Sequence, residues 1–152
     1  NMDDEAFRAA YDFISKGQEE KGLEEIRRFL QNNPKVWNAW FMLGWGLRKA
    51  GRYDDAKQAF EKSLVCEGGE ENADTYNELA ICAMEANNLS EAKRQLEKAL
   101  AITPESTKIM SNLGYLALKE GNPAVAASYF QAVLEFDPHD TLAQMELAKL
   151  DV

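Results

Sequence analysis

Cysteine and histidine are almost missing from this chain: two cysteines, Cys66 and Cys82, and one histidine, His139, in 152 residues. The cysteines lie 16 residues apart with no CxxC pair and no histidine near them. That spacing gives no zinc site and no disulfide framework, so both are expected to be small apolar fillers. His139 sits in an Asp-Pro-His-Asp turn without neighbours suited to ligating a metal. Basic charge is also scarce. Seventeen Lys and Arg face 26 Asp and Glu, a formal net charge of −9. A sequence-independent nucleic-acid binder needs a basic footprint, and so does a protein that docks on an anionic membrane surface. We therefore expect neither partner. Uncharged runs such as Val36–Leu47 are too short to span a bilayer. No glycine-rich phosphate loop, GxSxG or HExxH occurs. The carboxylate pairs Glu19-Glu20, Glu24-Glu25 and Glu70-Glu71 read as solvated surface. No catalytic residue, metal site or cofactor is expected, and the chain is read as a non-enzyme.

What the chain does have is a rhythm. Turn residues Gly17, Gly51, Asn87 and Gly121 are spaced by 34, 36 and 34 residues. Closing residues Pro34, Gly68, Pro104 and Pro138 repeat the same three intervals, including the two-residue slip. Such a period marks a solenoid, in which each unit buries against its neighbours the apolar surface it cannot cover alone.

Each unit reads as two helices. In the second, Trp40, Leu43, Gly44, Leu47 and Ala50 fall at helical spacing, and Gly51 supplies the left-handed residue that ends the helix. Tyr53, Ala56, Ala59, Phe60, Ser63 and Leu64 form the second stripe, opened by Asp54 and Asp55 at the positive end of the helix dipole. Gly44, Ala80 and Gly114 share one slot, and Ala56, Ala92 and Ala126 another. Small residues there let paired helices approach, with Phe60, Leu96 and Phe130 filling the space beside them. Thr141–Leu150 is a further helix, capped by Asp140 and expected to cover the open end of the fourth unit. The pattern predicts an all-α chain of nine helices and no strands. Its units run over about 3–36, 37–72, 73–106 and 107–140, with a capping helix at 141–152. Gly68 to Asn72, which absorbs the slip, is expected to be the softest internal segment.

Trp40, Leu43, Gly44, Leu47, Gly51, Tyr53, Ala56 and Phe60 resemble the signature of the tetratricopeptide repeat (TPR). The resemblance extends over residues 3–138 plus the terminal helix, and is weakest in unit one. It implies a single domain, a right-handed α-solenoid of four helix-turn-helix units. It further implies that the first helix of each unit lines a concave face that commonly holds a partner's peptide or helix. In that register Asp4, Phe7, Arg8, Tyr11 and Ile14 face the groove from unit one, and Asn38, Phe41, Met42, Trp45, Arg48 and Lys49 from unit two. Unit three offers Asp74, Asn77, Glu78, Ile81, Met84 and Glu85, and unit four Lys108, Ser111, Asn112, Tyr115, Leu118 and Lys119.

The expected partner-binding set is Phe7, Tyr11, Asn38, Phe41, Trp45, Arg48, Asn77, Ile81, Met84, Lys108, Asn112 and Tyr115. Phe41 and Trp45 form a second apolar stripe rotated from the core stripe, and a helix apolar on two faces must bury both. Either these residues pack on neighbouring helices, or they line a groove for an amphipathic partner segment. Some family members grip acidic chaperone tails with a Lys/Asn/Arg clamp. Here Phe7 and Tyr11 replace its Lys and Asn, and Asp74 and Glu78 oppose its basic residues, so that ligand is not expected. A protein-interaction scaffold is the leading expectation. The alternative is a structural module whose groove or open end is filled by a second copy, giving a homodimer. Asn1 ahead of Met2 reads as a cloning remnant, the chain reads as an excised piece, and a bacterial cytoplasmic setting is expected.

Overall fold

The structure is a computed structural model and describes residues 5–150. The expectations for Asn1, Met2 and Asp4, and for the end of the capping helix at 151–152, lie outside the described residues. Nine helices and no strand occur among them. Helices α1 (Glu5–Ser15) and α2 (Glu19–Asn32) form the first pair, α3 (Trp37–Lys49) and α4 (Tyr53–Val65) the second. Next come α5 (Ala73–Glu85) with α6 (Leu89–Ile102), α7 (Thr107–Lys119) with α8 (Pro123–Phe136), and α9 (Thr141–Leu150).

The turn inside each pair is built alike. Gly17, Gly51 and Gly121 take φ values of +82°, +81° and +75°, and Asn87 takes +58°, a value asparagine tolerates better than most residues. At the residue just before the next helix, the chain folds back on the last turn. Gln18 N–H donates to Phe13 O, Arg52 to Leu47 O, Asn88 to Ala83 O and Asn122 to Ala117 O, at 2.8–2.9 Å. These are the bonds of a Schellman closure. Helix starts are capped by Asn72, Asn88, Ser106, Asn122 and Asp140, each accepting from the backbone N–H three residues on.

Packing follows the small-and-large slots. Ala56, Ala92 and Ala126 are fully buried, as are Phe60, Leu96 and Phe130. Gly44 and Gly114 lie so close to the Phe60 and Phe130 rings that a Cβ on either would come within 3.0 Å of ring carbons. First helices of successive units touch directly, α1 with α3, α3 with α5 and α5 with α7, while second helices stand farther apart. This bends the row toward the first helices and makes their side concave.

Several sequence expectations shift. Trp40 is half-buried rather than core: its indole N–H donates to Pro34 O at 2.8 Å, and Lys62 lies over the ring at 4.9 Å. Ile14 does not face the groove but is fully buried, because Gly46 has no side chain to exclude it; a Cβ on Gly46 would sit 2.8 Å from Ile14 Cδ1. In the turn from Gly68 to Asn72, Gly68, Glu70 and Glu71 are exposed and one residue is anchored. Gly69 is buried, and a Cβ there would stand 2.1 Å from Ser63 O and 2.8 Å from Trp37 Cβ. The Ser63 hydroxyl donates to Trp37 O, and the Tyr76 hydroxyl to Glu70 O.

Candidate functional site

On the concave face, the rings of units one and two gather. Tyr11, 53% exposed, stacks on Trp45 with centroids 5.6 Å apart and planes 23° from parallel. Lys49 Nζ lies 5.2 Å from the centre of a Trp45 ring. Phe41 is half-buried and leans on Phe60 at 5.6 Å, so it belongs partly to the core. Phe7 is half-buried, edge-on to Phe29. Between α1, α3, α5 and α7 an open recess of about 390 Å³ is lined by Tyr11, Phe41, Met42, Trp45, Asp74, Glu78 and Lys108. Met42 itself is 6% exposed and forms part of its floor.

Three pairs of polar groove residues join units two to four. Arg48 makes a two-pronged ion pair with Glu78, Nη2 to Oε2 at 3.2 Å, and both side chains are largely covered. Lys108 Nζ reaches Asp74 Oδ1 at 2.9 Å in an exposed pair. Asn112 Nδ2 donates to Asn77 Oδ1 at 2.8 Å. Asn77 is therefore a correction to the surface set: it is 1% exposed, and its carboxamide joins two units beneath the groove. Asn38, Ile81, Met84 and Asn112 are half-buried at their helix positions. Tyr115 is half-buried and edge-on to Phe130 at 5.3 Å. Burial pushes its hydroxyl pKa up, with smaller contributions from the Glu146 and Asp140 charges. The recess thus brings together Tyr11, Phe41 and Trp45 with Lys108, and leaves Phe7, Asn38, Ile81, Met84 and Tyr115 outside its lining.

The sequence reading missed the cross-unit partnerships, although a signal for them exists. The partners lie 30, 34 and 35 residues apart, close to one repeat, with opposite charges or paired amides. Away from the groove, Cys82 is buried and Cys66 half-buried, and both are free thiols. Burial, reinforced by the Glu78 charge, pushes the Cys82 thiol up to about 11. It is a space-filler with little thiolate at neutral pH.

The model of the family described as "Cytochrome c-type biogenesis protein H TPR domain" matches residues 24–143. The chain belongs to that family. Members of the TPR class share the solenoid fold and serve as protein-interaction scaffolds. Cytochrome c-type biogenesis protein CycH of Bradyrhizobium diazoefficiens is 29% identical over 125 residues, covering 82% of this chain and 34% of the relative. Type IV pilus assembly protein PilF of Pseudomonas aeruginosa is 24% identical over 140 residues, 91% of this chain and 55% of PilF. The chain therefore spans about a third and about half of these relatives' lengths. A solved structure of Pseudomonas aeruginosa PilF superposes with a TM-score of 0.85 at 22% identity, covering 95% of this chain and 65% of that one. YrrB, described as a TPR protein with an unusual peptide-binding site, superposes with a TM-score of 0.78 at 16% identity, covering 92% and 71%. Among the described residues, no helix is long and apolar enough to cross a membrane.

Proposed function

We propose that this TPR domain is a non-catalytic scaffold that seats the apolar anchor of an amphipathic partner segment in the recess beside the Tyr11–Trp45 stack. The observation that carries the reading is a contrast in availability. The three charged residues that line the recess, Asp74, Glu78 and Lys108, are all spent on ion pairs across units, as Arg48–Glu78 and Lys108–Asp74, while Tyr11 is more than half exposed. What remains to offer a ligand is aromatic surface with paired charges around it. Trp and Tyr at the centre of such a patch are the residue types that most often dominate binding. The relatives' names support assembly of other proteins as the setting: one concerns cytochrome c biogenesis and one type IV pilus assembly.

Peptides selected by display from a random 12-residue library on the purified chain test the reading. They should share an apolar anchor, and Trp45→Ala should weaken them by about 2 kcal/mol or more per folded molecule. Affinity should vary only modestly with salt, because screening acts on exposed charges and not on apolar contact. Selected peptides that are acidic without apolar residues, or that bind Trp45→Ala undiminished, would sink the proposal. In the alternative, a second copy fills the groove. Light scattering would then give a dimer that Trp45→Ala dissociates.

A further inference from the structure

The joints between units are filled by different side chains, and the joint between units two and three is left with a hole. Where unit one meets unit two, Gly46 of α3 leaves a gap that Ile14 and Leu23 occupy. A Cβ on Gly46 would lie 2.8 and 2.9 Å from their methyl groups. Where unit three meets unit four, Leu116 stands at the position of Gly46 and is fully buried. Between units two and three that position holds Cys82, and Lys57 stands where α2 carries Leu23. Cysteine is smaller than leucine, and lysine carries its charged end out to solvent. A cavity of about 80 Å³ is left between α4, α5 and α6. That is several times the space one water needs.

The lining of this cavity is acidic. Asp54 and Glu61 contribute from α4 and Glu91 from α6, against a single base, the exposed Lys57. Buried Leu79, Cys82 and Ala83 of α5 supply apolar surface. Gln95 lines the cavity too and is 9% exposed. Its Nε2 donates to Glu91 Oε2 at 2.7 Å, while its Oε1 is buried with no donor. A buried acceptor left unpaired is costly. At the next joint the same positions read differently: Ser90 for Asp54, Val125 for Glu91 and Tyr129 for Gln95. Hole, unpaired oxygen and acidic excess therefore coincide at one joint. Water alone would satisfy Gln95 Oε1 but leave that excess unbalanced, and three carboxylates oppose an anion. An ammonium is strongly hydrated and suits apolar surface poorly. A guanidinium is flat and weakly hydrated, with donors fanned out in its plane.

We infer that the cavity between α4, α5 and α6 binds a guanidinium group, which donates to Gln95 Oε1 and balances the charges of Asp54, Glu61 and Glu91. Its flat face lies on the apolar surface of α5. The chemistry is the same whether the group belongs to a free small molecule or to an arginine side chain of a polypeptide. None of the residues lining this cavity lines the recess of the proposed function, and the inference does not depend on that reading.

The test titrates the whole nitrogen-15-labelled chain with ethylguanidinium chloride and, separately, with the peptide acetyl-Gly-Arg-Gly-amide. Ionic strength is held constant with sodium chloride, and tetramethylammonium chloride serves as a cation without N–H donors. Amide resonances of α4, α5 and α6 around the cavity should shift and saturate with both guanidinium probes and not with tetramethylammonium. Gln95→Met, similar in length but without the acceptor, should weaken binding about tenfold or more. Lys57→Met should tighten it by removing the competing cation. Equal affinities for the two probes would point to a small molecule as the natural ligand, and a clear preference for the peptide to an arginine side chain. The inference is overturned if the shifts do not saturate, if tetramethylammonium reproduces them, or if Gln95→Met binds undiminished. Weaker binding by Lys57→Met would also overturn it, because that is the behaviour of an anion site.

Discussion

Adding one methyl group to Gly44 should destabilise this protein, and shrinking Phe60 at the same time should restore much of the loss. A Cβ on Gly44 would lie 2.6, 2.7 and 2.8 Å from three carbons of the Phe60 ring. Carbon pairs prefer about 3.5–4.0 Å, so the overlap approaches an ångström. The ring is fully buried, with Phe41 against it at 5.6 Å, and has little room to retreat. Overpacking of this kind costs about 1–3 kcal/mol. Alanine in place of glycine within a helix returns roughly 1 kcal/mol, so Gly44→Ala alone should lose up to about 2 kcal/mol by combining the two. Phe60→Leu alone should also lose stability, through the volume it empties. The double variant recreates the Ala80 and Leu96 pairing of unit three, where both residues are fully buried. Urea unfolding followed by circular dichroism gives each free energy by linear extrapolation. The coupling should favour the double variant by about 1 kcal/mol or more, within the range for residues in contact. Costs that simply add, within about 0.5 kcal/mol, would refute the idea that this slot is a matched small-large contact.

Two further sets of substitutions probe the chain elsewhere. Gly51→Ala and Gly121→Ala meet no atom within 4 Å, so each should cost only the left-handed backbone strain, about 1–2 kcal/mol. Gly69→Ala should cost more than either, because the atom it meets is a backbone carbonyl; equal midpoints in urea for all three would contradict this. Cys66 should react with a thiol reagent ahead of Cys82, whose modification should keep pace only with unfolding. Because burial raises the Cys82 pKa from 9.0 to about 11, the stability it contributes is complete below pH 9 and is lost as pH rises toward 11. Cys82→Ala should flatten that alkaline decline.

The fold was legible because its signals are local and repeated. Left-handed turn residues, capping side chains and small-large slots each constrain a few neighbouring residues, and the period multiplies them. The groove was legible only in outline. Helical spacing placed Tyr11, Trp45 and Lys108 on one side, but which charge meets which depends on how far each unit is rotated on the next. Asn77 was misplaced for that reason, since it is the Asn112 amide one unit on that draws it under the surface. Ile14 was misplaced because Gly46, on another helix, makes room for it. Composition marks a turn at Gly68-Gly69 but does not show that Gly69 passes too close to Ser63 O and Trp37 to carry a side chain, because both lie on other elements.

The cross-unit contacts also bear on what happens when the two ends are pulled apart. Straightening a curved stack lengthens its inner edge most, and Arg48–Glu78, Lys108–Asp74 and Asn112–Asn77 all lie along that edge. They act as tension members. Between units one and two the corresponding tie is the Tyr11–Trp45 stack, two flat rings that can slide over one another. The stiffness of the molecule should therefore be uneven along its length: softened by salt over units two to four, where ions carry part of the inner-edge load, and less so at the N-terminal joint, where the inner edge is held by rings and the ion pair of Arg52 with Glu20 is exposed.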